Sequence, residues 1–327
     1  MKSSKKNNKR KVRINIYGTI IALIIICVLL SIYSLKSVNT VSLSTSKNNQ
    51  ETNIDIVKDK NNNNEINENN SNSIENDKEH EKVDETGTEK LTYLPLGEDS
   101  NASSAKEVES MLNSWNFNRE DGKKIAYLTF DDGPSDHVTN EILDILDEKN
   151  VKGTFFVLGS EVEHSNLSKD AFKRIVKEGH AIGNHGYCHS YDVLYPNKTV
   201  DANAFMADMK KSEDVMKSVI GEDFKTNVIR FPGGHGSWDT STVDSVLEQQ
   251  GYSYVDWNTL SGDAEGQNIE PEQLLNRLKE TVNDLDGNND VIVVLMHDTD
   301  AKESTAQYLG SAIDYLKSLG YEFKTLK

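Results

Sequence analysis

The stretch "IAYLTFDDGP", residues 125–134, runs from an apolar segment straight into two adjacent carboxylates, Asp131 and Asp132, and then into a glycine and a proline. Its first six residues have the β-branched and aromatic character of a buried strand. Gly133 and Pro134 end that strand, because proline has no N–H to give to a sheet. Neighbours in a regular strand face opposite sides, whereas a turn at Gly133-Pro134 lets both acids converge. On this motif alone, an acidic turn that caps the next helix remains an open alternative.

Six comparable runs follow: "GTFFVL" (153–158), "HAIGNH" (180–185), "NVIRF" (227–231), "YSYVDW" (252–257), "VIVVLMH" (291–297) and "YEFKTL" (321–326). Between them lie amphipathic segments such as "HVTNEILDILDEKN" (137–150), "DANAFMADMKKSEDVMKSVI" (201–220) and "STAQYLGSAIDYLKSLG" (304–320). Strand and helix alternating over some 200 residues predict an α/β domain on a parallel sheet, either a barrel or a doubly wound one. No fixed-period repeat accompanies the alternation.

In such folds the chemistry gathers at the C-terminal ends of strands. Here those ends carry Asp131-Asp132, His185 and His189, Arg230, the loop to Asp263, and His297-Asp298. The i, i+4 spacing of His185 and His189 would, in a helical turn, bring two imidazoles onto one face as metal ligands. Two solvated surface histidines are the plainer alternative. A carboxylate from another strand end would complete a two-His, one-acid set with positions left for water and substrate, the composition of a catalytic zinc site. If one Asp ligates, its neighbour can stand beside the attacking water and take its proton. His180 reads as a buried hydrogen-bonding residue, Cys188 as a packed small residue, and Trp257 as core or groove.

The rest of the chain has a different texture. Residues 1–13 carry seven Lys and Arg, and Ile14 to Leu35 have no charge. That is long enough for a membrane span, with the N-terminus inside and the bulk of the chain outside. A cleavable signal peptide is the rival, although "SLKSVNTVS" offers only a poor small-x-small site. From about Ser37 to Glu120 the sequence is polar, with runs such as "KDKNNNNEINENNSNSIENDKEHEK" (58–82). It reads as a disordered tether with a mean reach of about 50 Å; "LTYLPL" and "SAKEVESMLNSW" within it are candidates to dock on the domain behind. The expected organisation is therefore 1–36 basic tail and anchor, 37–120 linker, 121–327 catalytic domain. Removing the +7 of residues 1–13 from the formal −17 leaves −24, which argues against a nucleic-acid partner. The two cysteines, Cys27 in the span and Cys188 far beyond it, could hardly pair, so the exported domain must be held by its core.

Taken in order, "TFDDGP", "HGYCHS", "RFPGG", the loop to Asp263 and "LMHD" resemble the five motifs of the polysaccharide deacetylases, carbohydrate esterase family 4, over residues 123–327. The resemblance implies a distorted (β/α) barrel of about seven parallel strands. It implies Asp131 as catalytic base, Asp132, His185 and His189 as metal ligands, and His297 as the general acid. Arg230 would pair with Asp131, Leu295 would line the pocket for an acetyl methyl, and the N–H of Gly233 would face the oxyanion. Asp263 rather than Asp256 is expected to orient His297, because Trp257 stands six residues before it, as the family's tryptophan does. The implied cofactor is a divalent cation, zinc first, with Co²⁺, Ni²⁺ or Fe²⁺ also suited to the donor set.

Gly186, Ser190, Phe231, Gly233 and Ala264 depart from the family pattern and bear on substrate choice more than on chemistry. The expected activity is removal of N-acetyl groups from an N-acetylhexosamine polymer outside the membrane. Cell-wall peptidoglycan comes first as substrate and the catalytic domain is expected to be monomeric. Chitin oligomers, poly-N-acetylglucosamine, acetyl xylan, or a non-catalytic glycan-binding module are the alternatives.

Overall fold

The computed structural model describes residues 91–327. The expected anchor at 1–36 and the linker as far as residue 90 lie outside the described residues. No helix among the described residues is long and apolar enough to cross a membrane.

The described strands are β1 (Ala102–Ser103), β2 (Lys124–Asp131), β3 (Thr154–Val157), β4 (Ala181–Asn184), β5 (Val228–Ile229), β6 (Ser253–Tyr254), β7 (Thr259–Leu260), β8 (Val291–His297), β9 (Tyr321–Phe323) and β10 (Thr325–Leu326). Seven of them run in the order β6-β5-β4-β3-β2-β8-β7, all parallel, as a curled half-barrel whose end strands β6 and β7 do not pair. Strand β9 lies against Lys124 to Ala126 of β2, while β3 lies against Thr129 to Asp131, so the two share one edge of β2. The parallel sheet agrees with expectation; the barrel is open rather than closed.

Strands β2 and β8 are apolar on both faces because both are covered. Ala126, Leu128 and Phe130 point one way and Tyr127 and Thr129 the other, and all are buried. Phe130 stacks on Phe155 of β3 with ring centroids 4.9 Å apart. Helices cover the sheet with one apolar stripe each. In Val138–Glu148 the stripe is Val138, Ile142, Leu143 and Leu146, and that helix packs beside Glu303–Ser318. Its first turn is capped from the loop after β8, where Asp300 Oδ1 accepts the N–H of His137 at 3.0 Å and of Val138 at 3.2 Å. Each fully buried leucine contributes about 1.5–3 kcal/mol. Truncating Leu143 to alanine would cost about 2–5 kcal/mol with its cavity.

Three features differ from expectation. Strand β7, two residues long, has no apolar run to announce it. The last run divides at Lys324, with β9 joining the large sheet and β10 pairing with β1. The folded body also begins before residue 121, so that expected boundary falls inside it. Helix Ala105–Ser114 buries Ala105 and Val108, Phe117 is 1% exposed, and the Tyr93 hydroxyl accepts the Ile182 N–H at 3.0 Å. Tyr93 and Val108 lie in the two segments that the sequence marked as candidates to dock, whereas Phe117 lies beyond both.

Candidate active site

The strand order explains how distant residues meet. Arg230 follows β5, His185 follows β4, Asp131 ends β2, His297 ends β8 and Asp263 follows β7, so all five gather along one rim of the sheet. The β2–β8 register sets Asp131 opposite His297 and Thr129 opposite Leu295.

At the end of β2 the backbone turns at Asp132 itself, whose φ is +73°. That left-handed residue swings its carboxylate toward the histidines, so the convergence of the two acids begins one residue before the predicted Gly133-Pro134 turn. Gly133 serves a different need: a Cβ there would stand 2.1 Å from Asp298 Oδ2. His185 and His189 do not share a helical turn. They lie in a bend after β4 with φ of +90° at Gly186 and +49° at His189, and this bend brings their rings to 5.2 Å.

Asp132 Oδ1 lies 3.4 Å from His185 Nε2 and 3.6 Å from His189 Nε2. His185 Nδ1 lies 2.9 Å from the carbonyl oxygen of Arg230, which can only accept, so Nδ1 carries a proton and Nε2 is the nitrogen left to face the site. Asp132 Oδ1 is buried and has no hydrogen-bond partner of good geometry. Lone pairs aimed at one another across 3.4–3.6 Å repel unless a cation or a proton lies between them. Donors set tetrahedrally about 2.0–2.2 Å from a zinc ion stand about 3.3–3.6 Å apart, so both separations from Asp132 suit a divalent cation, and all three donors lie within 4.8 Å of one another. They form the one cluster of this kind among the described residues.

Burial works against a charge on Asp132, but the neighbouring His185, with His189 and His297, holds it well below the usual carboxylate range. Asp131 and Asp132 in turn raise the His185 pKa against its burial, so a proton and a cation compete for this place. Burial and then the neighbouring His185 push the His189 pKa down, which favours the neutral ring that a metal ligand requires.

On one side of this cluster, Asp131 is 3% exposed and its Oδ1 accepts Arg230 Nη1 at 2.7 Å. Arg230 is fully buried and also donates to Thr129 Oγ1 at 2.8 Å and to the carbonyls of Val255 and Asp256. Its guanidinium lies 4.0 Å over the ring of Phe156. The second oxygen of Asp131, Oδ2, stands 3.8 Å from His185 Nε2.

On the other side, His297 Nδ1 bonds Asp263 Oδ1 at 2.9 Å, while Asp263 Oδ2 accepts the His297 N–H at 2.7 Å and the Thr305 hydroxyl at 2.9 Å. Burial opposes the imidazolium of His297, but Asp263, with Asp131 and Asp132 adding, raises its pKa to about 9. Asp256 instead accepts N–H groups of His235 and Gly236. Of the two acids weighed from the sequence, Asp263 is therefore the one that meets His297. Leu295 shares the His297 face of β8 and is 8% exposed. Gly233, with φ +79°, lies beneath the hydroxyl of Tyr191, 3.0 Å from where a Cβ would be.

Sequence reasoning gave no role to three neighbours of the site. Tyr191 packs its ring 5.1 Å from that of His189 and 5.1 Å from Trp238; its place two residues after His189 was the available signal. Asp298 is buried behind Gly133, and burial raises its carboxyl to about 7; its place directly after His297 was the signal there. Asp208 touches the loop between the two histidines, and nothing in the sequence marks it.

A carboxylate–imidazole constellation on the rim of an open parallel sheet, with a carboxylate on one flank and an imidazolium on the other, defines a hydrolase of the α/β class. The chain belongs to the polysaccharide deacetylase family, whose model matches residues 118–255. It is 36% identical over 207 residues to the "Putative polysaccharide deacetylase YheN" of Bacillus subtilis, spanning 63% of this chain and 68% of that protein. A peptidoglycan-N-acetylglucosamine deacetylase of Bacillus cereus is 30% identical over 211 residues, 62% of this chain and 69% of that one. Among solved structures, a CE4 esterase of Streptococcus mutans superposes with a TM-score of 0.63 at 35% identity, covering 69% of this chain and 92% of that one. The matched segment 118–255 ends before Asp263 and His297, so the roles of those two rest on geometry.

Proposed function

We propose that this chain is a divalent-metal-dependent deacetylase that hydrolyses N-acetyl groups on N-acetylglucosamine residues of cell-wall peptidoglycan. In this reading its N-terminal segment holds it at the outer face of the membrane. The observation that carries the chemistry is the convergence of Asp132 Oδ1, His185 Nε2 and His189 Nε2, with Asp131 and His297 on either flank. The glycan and its polymer are supported by the name of the Bacillus cereus relative and by the apolar stretch at 14–35.

Asp132, His185 and His189 would hold the cation. Bound there, it would supply Lewis acidity, polarising the acetyl carbonyl and acidifying water. Asp131 has one oxygen fixed by Arg230 and the other turned to the site, so Oδ2 takes the proton of the attacking water. His297, with Nδ1 engaged by Asp263, carries its mobile proton on Nε2 and delivers it to the departing nitrogen. A C–O bond forms, the C–N bond breaks, and acetate and a free amine result. Leu295 offers an apolar wall to the methyl group, and the exposed backbone of Gly233 offers an N–H to the oxyanion.

The test is acetate release from N-acetylated peptidoglycan and from chitin oligomers by the full chain, metal-free and after zinc addition, with Asp131→Asn as control. Zinc-dependent release from peptidoglycan that the control lacks is the expected result. Release from chitin alone would replace the substrate. No release with any divalent metal would leave a glycan-binding module.

A further inference from the structure

The loop that carries both histidines is held by a residue outside every motif. Asp208 lies on helix Ala202–Ile220, which is fixed by its buried face (Phe205, Met209, Met216) and by Asp201 capping its first turn. Its Oδ2 accepts the N–H of Tyr187 at 2.7 Å and its Oδ1 accepts the thiol of Cys188 at 3.1 Å. One carboxylate therefore clamps the two residues midway between the ligands. The adjacent residue of the same helix adds a third tie, because Asn184 donates to the Met209 carbonyl at 2.8 Å while accepting the Gly186 N–H at 2.9 Å.

The clamp also accounts for Gly186. A Cβ at that position would stand 2.4 Å from Asp208 Oδ2, and its φ of +90° is one that L side chains rarely adopt. Glycine is what lets the carboxylate approach the loop backbone this closely. His185 has a partner of its own in the Arg230 carbonyl, whereas His189 is placed by the loop backbone, at φ +49°, and by the ring of Tyr191. Loosening residues 187–188 would therefore misplace His189 first.

We infer that Asp208 is a positioning residue for the metal site: it sets the bend between His185 and His189 and so fixes the two imidazoles at the separation a cation requires. Both of its oxygens are committed to the loop, so it acts through His189 and not as a ligand. Outer partners that orient ligands typically change metal affinity by 10–100-fold.

This inference rests on the metal reading above, and zinc binding separates the two. Affinity is measured on the metal-free full chain by competition with a chelator, for wild type, Asp208→Ala and Asp208→Asn, together with the melting temperature of each metal-free protein. Asp208→Ala should bind zinc about 10–100-fold more weakly. Asp208→Asn is isosteric and keeps one acceptor for Tyr187, so it should fall between alanine and wild type. At saturating zinc, kcat on acetylated glycan should recover to within about threefold of wild type, because Asp208 touches neither the base nor the acid. Zinc affinity within about threefold of wild type in both variants, whatever their melting temperatures, would overturn the inference. Failure of the wild type itself to bind zinc would overturn the metal reading instead.

Discussion

Replacing Asp263 with asparagine isolates what the Asp263–His297 pair does. In the native protein Asp263, with Asp131 and Asp132 adding, outweighs burial and raises His297 from 6.5 to about 9, a preference for the folded imidazolium of about 3 kcal/mol. Asparagine removes the charge and can turn an amide N–H toward Nδ1, while its oxygen still serves the His297 N–H and Thr305. Burial then faces only the charges of Asp131 and Asp132, and the imidazole falls back toward its ordinary value of about 6.5. An acid must be protonated to act, so its contribution is lost as pH rises through its pKa. At pH 8 about nine in ten native sites would carry the proton, against about one in thirty in the variant, a loss of about 30-fold from protonation alone. At pH 6 the same factor is under about twofold.

The titration of His297 is followed by NMR in the metal-free protein, and kcat/KM against pH in the zinc-loaded one. A cation lowers the value in both proteins, so there the displacement between variants is the readout. Stability gives a second check. A pKa raised in the fold contributes fully below 6.5 and is lost as pH climbs through about 9, so native stability should fall across that window and the variant should lack the slope. An alkaline limb that stays within about half a unit of wild type would refute the assignment of His297 as the acid oriented by Asp263.

Asp131→Asn should lower kcat by about 10²–10⁴-fold while zinc affinity, measured by chelator competition, stays within about tenfold; equal losses of both would make Asp131 a ligand rather than a base. Removing the divalent metal with a chelator should abolish acetate release, and zinc or cobalt should restore it; release that survives metal removal would sink the proposed role of Asp132, His185 and His189. Arg230→Met leaves the Asp131 carboxylate buried beside an apolar chain and should cost about 3–5 kcal/mol in urea unfolding at neutral pH, whereas a cost under about 1 kcal/mol would mean that the pair is not structurally coupled. Gly133→Ala drives a methyl into the Asp298 carboxyl and should destabilise by about 1–3 kcal/mol, read as a lower melting temperature; an unchanged value would mean that this turn yields freely.

What the sequence made legible was local chemistry at strand ends. Asp131, Asp132, His185, Arg230 and His297 each sit at the end of a strand or one residue past it, so locating the strands located them. Asp263 was reachable only by spacing, because the strand before it is two residues long. The geometry of the histidine loop was not legible. The i, i+4 spacing suggested a helical turn, but Gly186 adopts φ +90° and Asp208 occupies the space where a side chain would stand, so a tertiary contact sets the bend. The start of the domain was legible only in part, since "LTYLPL" and "SAKEVESMLNSW" stood out as candidates to dock while the 121 boundary was set too late. Tyr93, Val108 and Phe117 anchor the 91–120 segment through contacts with Ile182, Asn288 and the core, all distant in sequence.

The two catalytic candidates occupy one register pair, Asp131 on β2 and His297 on β8, yet their partners arrive from opposite ends of the sheet, Arg230 after β5 and Asp263 after β7. Adjacent strands left to themselves would set a carboxylate against an imidazole, and the two would neutralise each other as a direct ion pair. Each is instead engaged by a buried partner of opposite charge on its outer side, with the donor cluster lying beside Asp131. Amide hydrolysis needs that arrangement, because a proton must be accepted from water at one position and delivered to nitrogen at another. An open, curled sheet supplies it, since the strands flanking β2 and β8 bend round to reach the same rim from both sides. The short strands β5 and β7 are therefore catalytic scaffolding despite contributing two residues each to the sheet.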